Sequence, residues 1–517
     1  MQSVKRTASE FEQAWYWPML AGLLAIVLRL ALLPLVPIPV PAEHDEFSYL
    51  LGGDTFASGR VTNPPHPMWV HFETFHVNMQ PTYCSKYPPA QALFLAFGQR
   101  LFGNPWFGVC FSMGVMISAI CWMLLGWVLP KYALFTTLLT IFGWGVSGTW
   151  INSYWGGAVA AAGGALAIGA VPRLIRQCSV MPALLGSVGL VILANSRPFE
   201  GLLAAGAAAA VLAWRRRQRK RRLRSLVTVR VVVPFLSVMA PAAAAMGYYN
   251  YRTTGNALLL PYTVNERTYA ASPFFYVLPP IPTPVYRHEN LRRLWVDWVL
   301  PFYKAARARP EDTIEHSALI AARFYLFTPF GLVVLAGLLL AWNPETRSAL
   351  VIVAAPMIGL ALAIGTLPHY LAPAFGAFLI IGALGLQRIG QWRSAAPMVM
   401  GGVLGLSLGW CALMIRKDAR LARQTPAGIA TRPLLIDRLQ RMGGRHLVIV
   451  RYSPVHDVHS EWVYNRARID ASDIVWAQDM GTGDNRELLN YYRGRKVWLL
   501  QPDVDPLALT SYPQPPS

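Results

Sequence analysis

Charged residues are scarce in this sequence. Of its 517 residues only 14% are Asp, Glu, Lys or Arg, whereas 54% are hydrophobic. Soluble proteins carry about 25% charged and about 45–50% apolar residues, and a water-soluble globule of this size needs more polar surface than this chain offers. The composition also excludes a disordered, collagen-like or coiled-coil chain. It predicts an all-α polytopic membrane protein.

Acidic residues are fewer than basic ones. The chain has 26 Asp and Glu against 46 Lys and Arg, a formal net charge of +20. In a soluble protein this excess would indicate nucleic-acid binding. Here much of it lies in short segments between apolar runs, above all in RRRQRKRRLR at 215–224, and cytoplasmic loops of membrane proteins collect Lys and Arg. We therefore attribute the excess to topology and expect no nucleic-acid partner.

Cysteines are few as well. The sequence contains five, with no CxxC motif and no paired spacing. Four of them lie in or beside apolar runs, where cysteine behaves as a small hydrophobic residue. The cysteines therefore indicate neither a disulfide framework nor a zinc site.

Long apolar runs, by contrast, are numerous. A spanning helix needs about 20 mostly apolar residues, and with a cytoplasmic N-terminus most loop Lys and Arg fall inside. Arg416 and Lys417 are the one conflict, since they follow the last run on the predicted outside. Besides 215–224, the predicted inside loops hold Lys5, Arg6, Lys131, Arg173, Arg176, Arg347, Arg388 and Arg393. The sequence predicts about eleven spans, near 15–36, 105–129, 132–152, 156–172, 180–195, 199–214, 228–249, 321–342, 348–366, 370–387 and 395–415.

Three segments are too polar to span, and all three fall on the predicted outer side: 37–104, 250–320 and 416–517. Long loops in compact proteins are usually functional, so we expect the chemistry on this face. We divide the chain into a membrane domain, 1–415, and a small outer α/β domain, 416–517.

The outer domain shows its α/β character in short runs. RHLVIVRY (445–452) and KVWLLQPD (496–503) have strand character. Between them, Asp484 and Glu487 predict a helix start, and the helix runs to about Arg493.

Acidic residues gather directly after the first apolar run, in PAEHDEFSYLLGGDTFASGR. A carboxylate there is suited to accept a proton from a nucleophile within hydrogen-bond reach. The alternative is that Asp45 or Glu46 only caps a short helix starting at Phe47. The candidates in this cluster are Glu43, His44, Asp45, Glu46 and Asp54.

Basic residues near the predicted outer face are candidates for phosphate binding. Lys86 precedes Tyr87-Pro88-Pro89, a turn before an apolar helix, and a lysine at this depth suits a lipid-linked phosphate. A lysine extending its ammonium to water is the alternative. Arg29 lies about two turns inside the first span, where an ionisable residue is a functional candidate or a carboxylate partner. Arg197 lies in an outer turn.

Other polar residues at outward-facing ends are weaker candidates, because such residues are also common membrane-interface anchors. His456 and His459, with Asp457, could bind a metal, although a solvated loop is the more usual explanation of that pattern. The substrate-binding candidates are His44, Asp54, Tyr87, Tyr154, Glu200, His369, Tyr370 and Arg267.

The sequence resembles the GT-C superfamily of membrane glycosyltransferases in four features taken together. They are the apolar first span, the Asp-Glu pair that opens the outer loop, the K-Y-P-P turn at 86–89 and the many spans. The most similar groups are the protein O-mannosyltransferases, the lipid A aminoarabinose transferases and the bacterial RgtA/B/C/D-like group. The resemblance covers roughly residues 15–415. The insertion HPMWVHFETFH before Lys86 and the α/β C-terminal region depart from the family pattern.

The resemblance implies an inverting transfer in a bacterial cytoplasmic (inner) membrane. The donor would be a sugar on a polyprenyl phosphate, and the extracytoplasmic acceptor a glycan, lipid or protein. Asp45 would be the catalytic carboxylate, with Glu46 beside it. Lys86 would contact the donor phosphate, with Arg29 or Arg197 assisting. A divalent metal, present in some relatives, is left open, and no metal ligands are assigned.

Three other functions compete with this one. A flippase or transporter would place ionisable residues near the midplane and show inverted repeats. A polymerase or ligase for lipid-linked glycans would use basic residues of the second outer loop and be indifferent to Asp45. A scaffold would act through its C-terminal domain alone.

Overall fold

The computed structural model describes residues 16–220, 226–392, 395–424 and 427–513. Some residues of the predicted inside loops lie outside this range: Lys5, Arg6, 221–224 and Arg393. Within them the chain is mostly helical, as the composition predicts. The α-helices of nine residues or more are α1 (Tyr16–Ala31), α2 (His44–Ala57), α3 (Pro89–Phe102), α4 (Trp106–Trp127), α5 (Pro130–Thr140), α6 (Gly157–Arg176), α7 (Val180–Ala194), α8 (Pro198–Gln218), α9 (Val229–Thr254), α10 (Pro261–Tyr269), α11 (Leu300–Ala308), α12 (Pro310–Ala321), α13 (Pro329–Leu340), α14 (Pro344–Leu360), α15 (Phe375–Ile389), α16 (Ala396–Arg423), α17 (Arg432–Met442) and α18 (Gly481–Tyr491).

Each predicted apolar run overlaps one of these helices, although several helices extend beyond the predicted bounds. Among the described residues, five helices are long and apolar enough to cross a membrane, or up to six if a bent pair around α12 and α13 counts as one span. The helices α1 and α7 are apolar but shorter. The number of about eleven spans therefore stays a prediction.

The membrane helices pack closely where small residues face each other. Helix α4 lies against both α1 and α6. An added Cβ at Gly22 of α1 would lie 2.2 Å from Ser118 Oγ and 2.5 Å from the carbonyl oxygen of Gly114, both on α4. Glycine at position 22 thus lets the first span approach its neighbour directly.

The first outer loop folds into two helices and a short hairpin. Helix α2 begins at His44, three residues before the start at Phe47 that the capping alternative assumed. Helix α3 begins at Pro89, which confirms the predicted proline turn, because proline suits the first helical position. Between them, β1 (Val77–Asn78) pairs antiparallel with β2 (Cys84–Ser85). The hairpin brings the residues before Lys86 back beside α2.

The second outer loop packs on that hairpin. The Asn78 side chain donates a 2.9 Å hydrogen bond to the carbonyl oxygen of Pro261, at the start of α10. Asn265, one turn later, donates a 3.0 Å hydrogen bond to Asn78 Oδ1. These buried amide contacts fix the second loop against the first.

The C-terminal region begins with a helix that crosses the boundary placed at 415/416. Helix α16 continues to Arg423, and Asp418 within it accepts a 2.6 Å hydrogen bond from the Asn152 side chain. Beyond it lies a four-stranded sheet of order β4-β3-β5-β6, in which β3, β4 and β5 are parallel and β6 is antiparallel to β5. The strands are β3 (His446–Val450), β4 (Ile474–Gln478), β5 (Lys496–Leu500) and β6 (Leu509–Ser511).

The sequence predicted parts of this region well. Strands β3 and β5 lie within the runs 445–452 and 496–503. The helix predicted from Asp484 begins three residues earlier, at Gly481, and ends at Tyr491.

The sheet region docks on the first outer loop. Tyr464 stacks on Phe47 of α2, with 4.5 Å between ring centroids. The Tyr83 hydroxyl donates a 2.9 Å hydrogen bond to the carbonyl oxygen of Asn465. The three polar segments that the sequence places on one side of the membrane are therefore in direct contact.

Candidate active site

Asp45 lies in the first turn of α2, with its carboxylate among aromatic and histidine side chains. The Tyr87 hydroxyl donates a hydrogen bond to Oδ1. His44 Nδ1 lies 3.1 Å from Oδ2, and His76 Nε2 lies 3.8 Å from Oδ1. The Asp45 side chain is still 25% exposed. The carboxylate is thus held by fixed neighbours and remains reachable by a substrate.

The surroundings keep Asp45 ionised. Burial alone would raise the pKa of this carboxyl, but the His76 and His44 rings and the hydrogen bond from Tyr87 hold the pKa well below its usual range. Burial, with the nearby Lys86 cation, places the pKa of His76 well below its usual range.

Glu46 has a different environment from Asp45. It is 4% exposed, and its Oε2 accepts hydrogen bonds from the backbone N–H groups of Ala42 and Glu43, at 2.8 and 3.1 Å. Oε1 accepts a 2.9 Å hydrogen bond from the backbone N–H of Tyr154. Burial raises the pKa of Glu46 to about 7, although these N–H groups oppose the rise. Glu46 therefore ties the start of α2 to the 147–156 loop.

Lys86 is enclosed by aromatic rings. It is 4% exposed, and its Nζ lies 4.9 Å from the ring centroid of Tyr262, 5.4 Å from that of Tyr87 and 5.7 Å from that of Trp295. Its ion-pair partner is Glu266, at 3.2 Å. Three π faces and one carboxylate form an environment for a cation. This lysine does not extend its ammonium into water, as the alternative interpretation required.

Two stacked tyrosines join Asp45 to the basic side chains. Tyr49 and Tyr87 lie 4.3 Å apart, centroid to centroid, and burial raises the pKa of both phenols. Arg197 lies within electrostatic reach of both rings, and Lys86 lies beside Tyr87. Tyr87 thus contacts both Asp45 and Lys86.

Arg197 gathers several of the other predicted residues. Its guanidinium carbon lies 4.5 Å from the Tyr370 ring centroid, and its Nη1 lies 4.0 Å from Glu200 Oε1. His369 packs edge-on against Tyr370 at 5.0 Å, and its ring lies 4.9 Å from that of Trp155. Arg197 and His369 therefore join outward-facing ends of several membrane helices.

Arg29 has its contacts elsewhere. It is buried, its Nη1 donates a 3.0 Å hydrogen bond to the carbonyl oxygen of Val36, and its Nη2 donates a 3.1 Å hydrogen bond to Asn152 Oδ1. Its guanidinium lies 4.6 Å from the Trp106 ring centroid. Arg29 fixes the chain as it leaves α1, and these contacts do not bring it to the Asp45 group as the phosphate-binding prediction required.

Three predicted substrate residues also face away. Asp54 is nine residues beyond Asp45 on the same helix, a rise of about 14 Å, and contacts the C-terminal region. Arg267 is exposed on α10. The Tyr154 hydroxyl donates a 3.0 Å hydrogen bond to the carbonyl oxygen of Pro39. Asp54 thus docks the C-terminal region, Arg267 faces solvent, and Tyr154 fixes a loop.

Two histidines at the site were not identified from the sequence as its members. His76 ends the segment taken as an insertion, and His459 belongs to the segment interpreted as a solvated loop. His459 Nδ1 lies 3.3 Å from His44 Nε2, across 415 positions of sequence. His456, considered together with His459, instead lies 2.6 Å from Asp503. No local sequence pattern predicts a contact between residues 415 positions apart, such as that of His44 and His459, so it becomes visible only in the folded structure.

The histidines and carboxylates here can hold a metal ion. Two sets of three residues each offer donor atoms within 4.8 Å of one another, and His44 belongs to both. Imidazole nitrogen and carboxylate oxygen are ligands of zinc and of other divalent transition metals. The residues present fit such an ion, a point the sequence left open. The sets are Glu43–His44–His459 and His44–Asp45–His76.

No protein-family model matches the chain, and no curated protein matches it. Similarity to known proteins is therefore found at the level of the three-dimensional structure.

Solved structures do match. ArnT from Cupriavidus metallidurans in the apo state superposes with a TM-score of 0.54 at 12% identity, covering 95% of this chain and 94% of that chain. The same enzyme bound to undecaprenyl phosphate gives a TM-score of 0.52 at 15% identity, covering 94% and 93%. The Archaeoglobus fulgidus oligosaccharyltransferase in complex with Zn and sulfate gives 0.51 at 12% identity, covering 93% and 67%. These neighbours are GT-C proteins, and the chain has the GT-C fold.

Proposed function

We propose that this GT-C chain is an integral membrane glycosyltransferase that moves a sugar from a polyprenyl-phosphate donor to an extracytoplasmic hydroxyl acceptor. One observation carries the proposal: Tyr87 donates a hydrogen bond to the accessible carboxylate of Asp45, and the ammonium of Lys86 lies 5.4 Å from the ring centroid of the same tyrosine. A base and a site for a leaving phosphate are thus adjacent. The similarity to a structure holding undecaprenyl phosphate supports this donor class.

Asp45 is the general base of the proposed reaction. As the acceptor oxygen attacks the anomeric carbon, its proton passes to the carboxylate. The bond from that carbon to the phosphate oxygen breaks on the opposite side, and its electron pair leaves with the polyprenyl phosphate. The sugar is transferred with inversion. Tyr87 and His44 keep the carboxylate in place during this step.

Lys86 and Arg197 stabilise the charge that develops on the leaving phosphate. A positioned donor in a water-poor site contributes about 2.7–4 kcal/mol, or 10²–10³ in rate. Lys86 is paired with Glu266 at 3.2 Å, so the donor phosphate must share the ammonium with this carboxylate or displace it. Glu266 belongs to the second outer loop, which gives that loop a part in donor binding.

Glu46 is a positioning residue in this scheme and not a second base. Both of its oxygens already accept backbone hydrogen bonds, and it is 4% exposed. It holds the first turn of α2, and therefore Asp45, at the proposed site.

The same proposal fixes the orientation in a bacterial cytoplasmic membrane. The run of Lys and Arg at 215–224, which begins in the last turn of α8, lies in the cytoplasm with the N-terminus, as the positive-inside rule requires. The outer loops and the C-terminal sheet region then lie on the extracytoplasmic side, around Asp45.

Native mass spectrometry in nanodiscs tests the donor site with undecaprenyl phosphate as the probe. We expect Lys86→Ala to bind this lipid on the order of tenfold more weakly, since a hydrogen bond to a charged group contributes about 1.5–3 kcal/mol. Lys304→Ala, which removes an exposed lysine, is the matched control and should bind as the wild type does. Equal binding by the wild type and both variants would remove Lys86 from the site.

A further inference from the structure

Two basic segments of the chain lie at opposite faces of the helix bundle. The first, RRRQRKRRLR at 215–224, begins in the last turn of α8. Helix α8 starts at Pro198, directly after Arg197 of the candidate site, and its 21 residues rise about 30 Å. The first basic segment therefore lies at the face of the bundle away from that site.

The second basic segment, RKDARLAR at 416–423, lies at the same face as the candidate site. It forms the last turns of α16, and Asp418 within it accepts a 2.6 Å hydrogen bond from the Asn152 side chain. The loop that contains Asn152 is tied to Glu46, at the start of α2, by the backbone N–H of Tyr154. The positive-inside rule explains basic residues at one face only, so the second segment needs a different explanation.

The basic side chains of this segment lie on one side of α16. With 3.6 residues per turn, Arg416, Arg420 and Arg423 form one row along the helix, and Lys417 lies at its edge. All four are exposed. The one acid of the segment, Asp418, is about half a turn away from the row, where it also accepts a hydrogen bond from the Ser147 hydroxyl. The exposed side of these turns therefore presents positive charge that its own acid does not neutralise.

The length of α16 places these turns at the level of lipid headgroups. Its apolar part, 396–415, rises about 30 Å, which matches the hydrocarbon core of a bilayer. The last turns, 416–423, continue the helix for about 12 Å beyond that core. Their side chains therefore meet the phosphate groups of the lipids around the helix.

Exposed leucines continue the basic side of α16 toward the membrane centre. Leu413 is 58% exposed, one turn below Arg416, and Leu406 is 55% exposed, about three turns below it. Charged and apolar side chains thus follow each other along the helix as the parts of a phospholipid do. A shallow pocket of about 290 Å³ opens where they meet, and its lining is Leu413, Arg416, Lys417, Arg420, Leu421 and Gln424.

We propose that the outer end of α16 is a binding site for an anionic phospholipid. Its phosphate is held by Arg416, Lys417 and Arg420, and its acyl chains lie along Leu413 and Leu406. Because α16 leads directly into the C-terminal region, the bound lipid holds this connection at the membrane surface. Binding needs neither donor nor acceptor, so this inference goes beyond the proposed function and can fail independently of it.

Native mass spectrometry of the full-length protein, titrated with phosphatidylglycerol or phosphatidylcholine, tests the proposal. Each basic residue near a headgroup contributes about fivefold in affinity, so three should give the wild type a preference for phosphatidylglycerol of about 100-fold. Arg416→Gln/Arg420→Gln should weaken phosphatidylglycerol binding by about 25-fold and leave phosphatidylcholine binding unchanged. Arg486→Gln/Arg493→Gln, which removes two exposed arginines of the C-terminal region, is the matched control and should bind as the wild type does.

Photo-crosslinking locates the bound lipid. A phosphatidylglycerol with a photoreactive acyl chain should label the part of α16 around Leu406 and Leu413 in the wild type but not in Arg416→Gln/Arg420→Gln. Labelling beside 215–224, at the other face, should be equal in both proteins. Excess inorganic phosphate should not compete, and competition by it would overturn a lipid site in favour of a site for free anions.

A charge-conserving variant separates loss of charge from loss of fold. Arg416→Lys/Arg420→Lys should keep the preference for phosphatidylglycerol, and the melting temperatures of both double variants in phosphatidylcholine nanodiscs should match that of the wild type. A wild type without this preference, or an Arg416→Gln/Arg420→Gln variant that keeps both the preference and the label, would overturn the lipid site. Either result would leave the role of Asp45 untouched.

Discussion

The two ends of helix α2 carry the same residue in two environments. At the amino end, Asp45 has one hydroxyl donor, two histidine rings nearby and a partly open face. At the carboxyl end, Asp54 accepts hydrogen bonds from Arg466 at 3.0 Å, from the Ala467 backbone at 2.8 Å and from Gln99 at 2.7 Å. The first carboxylate is left accessible, and the second is fully engaged.

The difference shows what separates a reactive carboxylate from a structural one. Both residues lie in the same acidic segment, and both have a pKa lowered by their partners. Asp54 uses its charge to hold the C-terminal region, whereas Asp45 faces the rings of His44, His76 and Tyr87, with Lys86 beside Tyr87. Residue type and spacing are therefore not sufficient to predict the role of a carboxylate in this segment. The side chains and backbone groups that contact the carboxylate determine its role.

Removing the charge at the amino end should have the largest effect. We expect Asp45→Asn to lower the transfer rate by about 10²–10⁴-fold, because it removes the base while keeping the shape of the side chain. The melting temperature should change little. Transfer from a panel of undecaprenyl-phosphate sugars measures the effect, with the exposed Asp312→Asn as control. Transfer at the wild-type rate in Asp45→Asn would contradict the base assignment.

The same substitution at the carboxyl end should act on stability instead. Asp54→Asn leaves the Arg466 guanidinium and the Ala467 N–H with a weaker acceptor, at a cost of about 1–3 kcal/mol. We expect faster tryptic cleavage of the C-terminal region and a smaller loss of transfer than in Asp45→Asn. Limited proteolysis and thermal melting report the change. A transfer loss as large as that of Asp45→Asn would mean that the two ends do not differ in role.

The smallest expected effect is the change with pH in the stabilisation that Asp54 provides. Burial opposes ionisation of Asp54, but the hydrogen bonds from Arg466, Ala467 and Gln99 lower its folded pKa. Its stabilisation is therefore present above the unfolded pKa of about 3.9 and is lost as pH falls through the folded value. The melting temperatures of the wild type and Asp54→Asn should differ at pH 6, and the difference should begin to shrink only below about pH 3.9 and close as pH falls through the lower folded pKa. A gap that persists at low pH would show that charge is not what docks the region.

Local features of the site were readable from the sequence, whereas its long-range contacts were not. The prolines before α3 and the strands β3 and β5 follow from turn chemistry and β-branched runs, which act over a few residues. Asp45 and Lys86 stood out because charge is rare near a membrane span. The resemblance to GT-C proteins, stated from these motifs, is confirmed for the fold.

Other features required the fold itself. His459 reaches His44 only through docking of the C-terminal region, and Glu266 pairs with Lys86 only because the second loop packs on the hairpin. The roles of Arg29 and Asp54 depend on carbonyl and amide partners that no spacing encodes. Helix α16 passes the boundary at 415 because its polar last turns continue the helix beyond the apolar run.

The most direct test of the central claim observes donor and product on the same protein. Nanodiscs loaded with an undecaprenyl-phosphate-linked sugar that the wild type uses are followed by native mass spectrometry in the presence of acceptor. The wild type should convert the bound donor to undecaprenyl phosphate, whereas Asp45→Asn should hold the donor unchanged. Conversion by Asp45→Asn at the wild-type rate would contradict the assignment of Asp45 as the base.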